Sequence, residues 1–379
     1  MQIEQIRWNP ATMNWTPAPP SKLGTNAQLI LLFGSPACLQ QTGWQDDLKK
    51  AYPNAHRLGC STAGEIYGTE VTDETLVATA IAFEHTRLDG VSIKHSDVND
   101  SYEAGKRLAK SLPHELLVHM LVISDGQNVN GSQLVAGLTQ HLPPGVTLTG
   151  GLAGDGDRFQ ETLVLWDGPP EPDTIAVVGL YGDRLKVGFG SLGGWDAFGP
   201  ERMVTRSAEN ILYELDDQPA LDLYKKYLGA YAKDLPASGL LFPLSLRTGN
   251  GESVVRTILG ISEDERSLTF AGDMPQGAYT RLMKANFDRL IDGAIGAAQT
   301  SYEAIGKTSP ELALLISCVG RKLVLKQRIE EEVEGVQDIL GSKTVLAGFY
   351  SYGEISPFTP SAKCELHNQT MTITTLSEV

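Results

Sequence analysis

One pattern, met three times, most constrains what this chain can fold into: an apolar strand, an amphipathic stretch with helical spacing, and a second strand that ends in small and polar residues. In the first copy "QLILLFGSP" (28–36) leads to a face bearing Trp44, Leu48 and Tyr52, then to "RLGCSTAGEI" (57–66). In the second, "LLVHMLVISDG" (116–126) leads to Leu134, Leu138 and Leu142, then to "VTLTGGLAGD" (146–155). In the third, "ELALLISCVG" (311–320) leads to a predicted single helix over 322–341, with Ile329, Val333, Val336 and Leu340 on one face, then to "VLAGFYSYGEI" (345–355). Spacings of three and four mark the helices, and short apolar runs bounded by turn residues mark the strands. Gly34 to Gly59 is 25 residues, Ser124 to Gly150 is 26 and Ser317 to Gly348 is 31, close to the ~30 residues of a β-α-β crossover. The first and third copies also share the frame G-x-x-x-x-G-E-I, as Gly59, Gly64, Glu65, Ile66 and Gly348, Gly353, Glu354, Ile355, which points to an internal duplication.

Alternating strands at 75–83, 162–166, 174–182, 184–192 and 369–376 surround these units and should pair antiparallel. The expected class is therefore α/β of a mixed α+β kind: repeated β-α-β units with mixed sheets flanked by helices, in two pseudo-related modules. Between the halves, alternation at Met203, Thr205, Ile211, Tyr213 and Leu215 predicts a hairpin turning at Glu209-Asn210. Asp216 and Asp217 before Pro219 supply helix-start chemistry, so a boundary is placed near Gln218 and a helix after it that stops at Gly229. A long helix over about 281–305 carries Gly293, Gly296 and Ala297, which allow close packing. Pro10, Pro17, Pro19 and Pro20 make the start read as an extended arm or tail. The division expected is an arm over 1–24, a module over 25–218, a second module over 219–365, and a C-terminal strand or tail over 366–379.

A formal net charge of −15 leaves no field to attract nucleic acid or anionic membrane surfaces. The four cysteines, at 38, 60, 318 and 364, form no C-x-x-C pair, so neither a disulfide framework nor a zinc ribbon is expected and a reducing compartment fits. No apolar run approaches the ~20 residues of a spanning helix, and the N-terminus has no secretory pattern; a cytoplasmic protein is expected. The seven histidines form no H-x-x-x-H or H-E-x-x-H frame, so no multi-ligand metal site is expected.

Several readings compete for "RLGCSTAGEI". A hydrolase elbow at Ser61 needs a helix directly after it, and the residues that follow have no helical face. Cys60 as a thiolate with His56 as its base sits on one strand face, ~13 Å apart at ~3.3 Å per residue, too far for contact; a buried cysteine acting as a small hydrophobe is the competing reading. The glycine-rich turns at 150–157 and 190–195 match no phosphate-binding frame. Topology offers more, because ligands in α/β sheets sit beyond the carboxyl ends of parallel strands. Those ends carry Cys60, Ser61, Thr62, Ser124, Asp125, Asp155, Ser317, Cys318, Tyr350, Ser351 and Tyr352, with Arg321 just beyond. They suit a small polar or anionic ligand whose carboxylate Arg321 grips in two-pronged fashion. Arg321 bridging Glu65 or Glu354 is the alternative. Gly59, Gly64, Glu65, Gly348, Gly353 and Glu354 are expected to shape the turns. No acid and base constellation emerges, so a binding protein is expected, with a cysteine-dependent enzyme on a small carboxylate as the alternative.

The stretches "GCSTAGEI" (59–66), "GGLAGD" (150–155), "GWDAFGPERMVTRSAENILYELDDQPALDLYKKYLG" (194–229), "SCVGR" (317–321) and "GFYSYGEISP" (348–357) together resemble the FIST family of sensory proteins, with its FIST N and FIST C modules. The resemblance implies a bacterial signal-transduction protein that binds small molecules such as amino acids and works beside a histidine kinase or a cyclic-di-nucleotide enzyme. One subgroup with this layout resembles haem-binding nitric-oxide sensors. That would make haem a cofactor here, with His56 as the axial candidate beside the motif.

Overall fold

All three crossovers form in the computed structural model, which describes residues 1–17, 22–247, 253–358 and 362–379; residues 18–21 of the expected N-terminal arm lie outside them. In unit one Leu29–Gly34 runs parallel to His56–Ser61, in unit two Leu117–Ser124 to Thr147–Leu152, and in unit three Leu312–Cys318 to Val345–Ser351. Each unit nucleates its own sheet. The first strand is flanked by an antiparallel one (Leu76–Ala82, Thr174–Tyr181 or Met371–Glu378), and beyond that lies the strand preceding the unit (Gln2–Asn9, Arg87–Lys94 or Leu185–Leu192). Residues 2–9 are thus a sheet strand rather than an arm, paired from Gln2↔Ala82 to Trp8↔Leu76 with Ile6 and Trp8 buried.

A glycine occupies the same register position in each parallel pair: Gly59 faces Leu32, Gly150 faces Val122 and Gly348 faces Leu315. A methyl group added there would meet the facing carbonyl oxygen at 2.3, 1.9 and 1.9 Å respectively. The near-constant spacing read in the sequence is this close backbone approach, repeated.

After its second strand each unit sends the chain into another unit's sheet. Glu65–Tyr67 pairs with unit three, Gly353–Pro357 with unit two, and Val164–Trp166 with unit one. The exchange closes on itself, giving the three units an approximate threefold order. Backbone bonds join the strand ends at the centre: Ala63 N–H donates to Tyr350 O, Gly154 N–H to Ser61 O and Tyr352 N–H to Leu152 O. The inner faces of the three sheets pack on one another through Phe33, Cys60, Ile123, Ile316 and Phe349, with the Phe33 and Phe349 rings 4.6 Å apart.

Helices cover the outer faces. Trp44–Ala51 lies on sheet one, Ser101–Ser111 and Gly131–Thr139 on sheet two, and Phe287–Ala304 with Ile329–Leu340 on sheet three. The helix predicted over 322–341 divides into Val319–Leu325 and Ile329–Leu340, because Lys326 takes a φ of 51° between them. The long helix starts at Phe287, since 279–284 is still strand, and Gly293 packs on the Gly193 carbonyl. A fourth, antiparallel sheet carries the hairpin predicted at Glu209-Asn210 (Asp196–Ala208 with Ile211–Leu215) and the strands between 244 and 284. Asp216 and Asp217 form the tight turn pairing Leu215 with Gln218 rather than the first turn of the next helix, which spans Ala220–Leu228 and stops at Gly229 as predicted. Among the described residues no helix is long and apolar enough to cross a membrane.

Candidate ligand-binding site

The shared G-E-I frame builds the same clamp twice. Thr62 Oγ1 donates to Glu65 Oε1 at 2.6 Å, while Thr75 gives Oε2 its N–H at 3.2 Å and its hydroxyl at 2.6 Å. In unit three Ser351 Oγ donates to Glu354 Oε1 at 2.7 Å, while Thr370 gives Oε2 its N–H at 3.2 Å and its hydroxyl at 2.9 Å. Each glutamate therefore ties the turn after its own second strand to the start of the antiparallel strand. Burial pushes Glu65 up to about 7 and Glu354 up to about 8, against the donors that favour the carboxylate.

Unit two departs from this frame. Val164 holds the register position that Glu65 and Glu354 hold elsewhere, and the acid, Asp155, sits earlier. Its carboxylate accepts the N–H groups of Phe159 at 2.9 Å, Gln160 at 2.9 Å and Glu161 at 3.0 Å, together with the Tyr352 hydroxyl. Asp155 thereby pins the loop 155–161 over the strand ends, where Phe159 stacks on Tyr352 at 4.5 Å.

A cavity of about 540 Å³ opens where the strand ends of units one and three meet this loop, within the size range of small-molecule sites. Thr62–Glu65 line it from unit one, Asp155–Arg158 from unit two's loop, and Val319, Lys322 and Lys326 from unit three, with Asp73 and Glu74 on a further wall. Lys322 Nζ donates to Ala63 O at 2.8 Å, contacts the Asp73 carboxylate, and lies 5.7 Å from the centre of the Tyr350 ring. Arg158 Nε donates to Asp155 O at 2.7 Å, and Lys326, Glu74 and Asp157 stand exposed at the rim. Both signs of charge are thus presented across a space the size of a small molecule.

Of the residues singled out by sequence, Thr62, Gly64, Glu65 and Asp155 reach this cavity, and Tyr352 lines another of about 350 Å³. The others turn inward. Cys60 and Cys318 are buried and burial pushes both thiols up, which leaves neither as a ready thiolate. Ser61 Oγ accepts the Leu163 N–H at 2.8 Å, and Asp125 accepts the N–H groups of Gln127, Asn128 and Asp173 at 2.7, 2.9 and 2.7 Å. Arg321 does not line this cavity and bridges neither Glu65 nor Glu354. Its fully buried guanidinium pairs with Glu332, Nε and Nη2 reaching Oε2 at 3.1 and 2.7 Å, and also caps the carbonyls of Gly193 and Leu290. Tyr350 donates to the same Glu332 at 2.8 Å, and Ser351 is spent on Glu354. Gly59, Gly348 and Gly353 are packed against neighbouring backbone or side chains.

Haem does not fit these residues. His56 is half exposed on a strand flank, with its ring stacked on Trp166 at 5.1 Å and Nδ1 held by Asp167 at 2.7 Å. None of the cavities described here is lined by a histidine. Among the described residues no three His, Cys, Asp or Glu side chains gather to hold a metal ion.

Fold and motifs agree with the family comparisons. The FIST N domain model matches residues 28–218 and the FIST C domain model residues 220–357; the chain belongs to the FIST family of sensory domain proteins. It is similar to an uncharacterised protein of Methanocaldococcus jannaschii, with 24% identity over 335 residues that cover 82% of this chain. The match spans 62% of that relative's length.

Proposed function

We propose that this chain is a ligand-binding sensor whose cavity at the junction of units one and three takes a small zwitterion, an amino acid in the first instance. The two-signed lining carries the reading: a carboxylate would meet Lys326 and Arg158, while an ammonium group would meet Glu74 and Asp157, with Lys322 and Asp73 between them. The lining favours binding over catalysis, since the Thr62 hydroxyl and the buried carboxylates of Glu65 and Asp155 are committed to the turns and both candidate thiols are buried. Because parts of all three units border the cavity, an occupant would tighten the loop 155–161 and the break at Lys326 against the core. The change would pass to a partner, with a histidine kinase or cyclic-di-nucleotide enzyme as the expected kind.

A thermal-shift screen with the common amino acids tests this. Binding at a hundred times Kd adds about 2.7 kcal/mol of stability. At least one amino acid should raise the midpoint in the wild type and not in Val71→Trp, which fills the cavity from the short strand Glu70–Thr72. No shift with any amino acid, or equal shifts in both proteins, would end the proposal.

A further inference from the structure

Two arginines of this chain are buried, and among the described residues only one of them has a counter-ion. Arg321 has Glu332. Arg256, 6% exposed, donates from Nη1 to Leu366 O at 2.9 Å and from Nε to Asp273 O at 3.3 Å, both neutral acceptors. Among the described residues no carboxylate comes within ion-pair distance of it. The Asp273 carboxylate is turned to Asn130 Nδ2 at 2.9 Å, and Asp273 and Glu365 act on Arg256 only at longer range. A buried cation without a partner is costly, and burial lowers this guanidinium to about 10. Arg256 borders a cavity of about 500 Å³ between the helix Gly131–Thr139, the strands Leu244–Arg247 and Ser253–Arg256, and the strand Cys364–His367. Val135, Leu246, Val254 and Leu366 give one stretch of its wall an apolar surface, Asp273 and Glu365 lie in the lining near Arg256, and Lys363 stands exposed among the lining residues.

We propose that this cavity is a second binding site, separate from the one at the strand ends, for a small aliphatic carboxylate whose head pairs with Arg256 and whose tail lies on the apolar wall. The nearby Asp273 and Glu365 disfavour a doubly charged head such as a phosphate monoester. The occupant would contact both the second β-α-β unit and the antiparallel sheet, and so would fix one against the other.

Titration calorimetry of the full chain with sodium hexanoate tests the assignment, with hexylamine and inorganic phosphate as comparisons. Saturable hexanoate binding is expected. It should weaken at least tenfold in Arg256→Met, and also in Ala136→Phe, which narrows the cavity from the helix while leaving Arg256 in place. Val71→Trp should bind hexanoate normally, which separates this site from the proposed amino-acid site. Absence of saturable binding, binding unchanged in Ala136→Phe, or hexylamine or phosphate binding as tightly as hexanoate would overturn the proposal. If Arg256→Met does not fold, Ala136→Phe decides the matter.

Discussion

Replacing Glu332 by glutamine probes whether Arg321 is a structural cation. The change is nearly isosteric and leaves acceptors for the Tyr350 and Ser317 hydroxyls, which now reach Oε1 at 2.8 and 3.2 Å. It removes the only carboxylate that pairs with Arg321 among the described residues, at a site where both side chains have no solvent exposure. A guanidinium cannot shed its proton, so the charge stays stranded. Removing one partner of a buried pair costs about 3–5 kcal/mol, a fifth or more of the roughly 5–15 kcal/mol that holds a typical protein folded. Urea unfolding followed by circular dichroism should show Glu332→Gln losing that amount. A cycle with Arg321→Met should return a coupling of about 2–3 kcal/mol, at the upper end for contacting residues. A loss below about 1 kcal/mol with negligible coupling would refute the pairing and return Arg321 to the ligand site.

Gly348→Ala should abolish soluble expression or cost more than the roughly 1–3 kcal/mol of ordinary overpacking, because its methyl would overlap the Leu315 carbonyl; native-like solubility and unfolding would contradict the repeated close approach. Burial raises Glu65 and Glu354 from 4.5 to about 7 and about 8, so the folded state keeps protons that the unfolded chain has released. Their contribution to stability therefore falls as pH climbs from about 4.5 to about 8. Glu65→Gln should flatten that fall below about pH 7 and Glu354→Gln should flatten it up to about pH 8; unfolding curves with the same pH slope as wild type would count against the burial argument. Asp155→Ala strips three backbone N–H groups and the Tyr352 hydroxyl of their acceptor, and hydrogen exchange over 156–161 should accelerate by at least tenfold while the strands stay protected.

The local grammar of this fold is legible in the chain. Apolar runs, helical spacing and the recurrence of Gly59, Gly150 and Gly348 identify the three units, and the two G-E-I frames mark turns that the structure clamps in the same way. Ile6 and Trp8 alternate as a strand should, but the prolines that follow drew the reading toward an arm. What escaped was non-local. Which sheet receives Glu65–Tyr67 or Gly353–Pro357 depends on pairings hundreds of residues apart. Glu332 meets Arg321 only because the chain breaks its helix at Lys326, where lysine carries no turn signal of the kind glycine or asparagine would. The strand ends that topology singled out border a cavity. Its charged lining comes from loops that carry Asp73, Glu74 and Arg158, from the short helix that carries Lys322 and from the break at Lys326, none of which a motif marks.

The cavity at the strand ends is the centre of this account, and a crystal structure grown with the amino acid giving the largest thermal shift tests it most directly. The prediction is ligand density enclosed by Thr62–Glu65, Arg158 and Lys326, with the carboxylate toward the cations and the ammonium group toward Glu74 or Asp157. Density at another place on the molecule, with this cavity holding only water under the same saturating conditions, would contradict it.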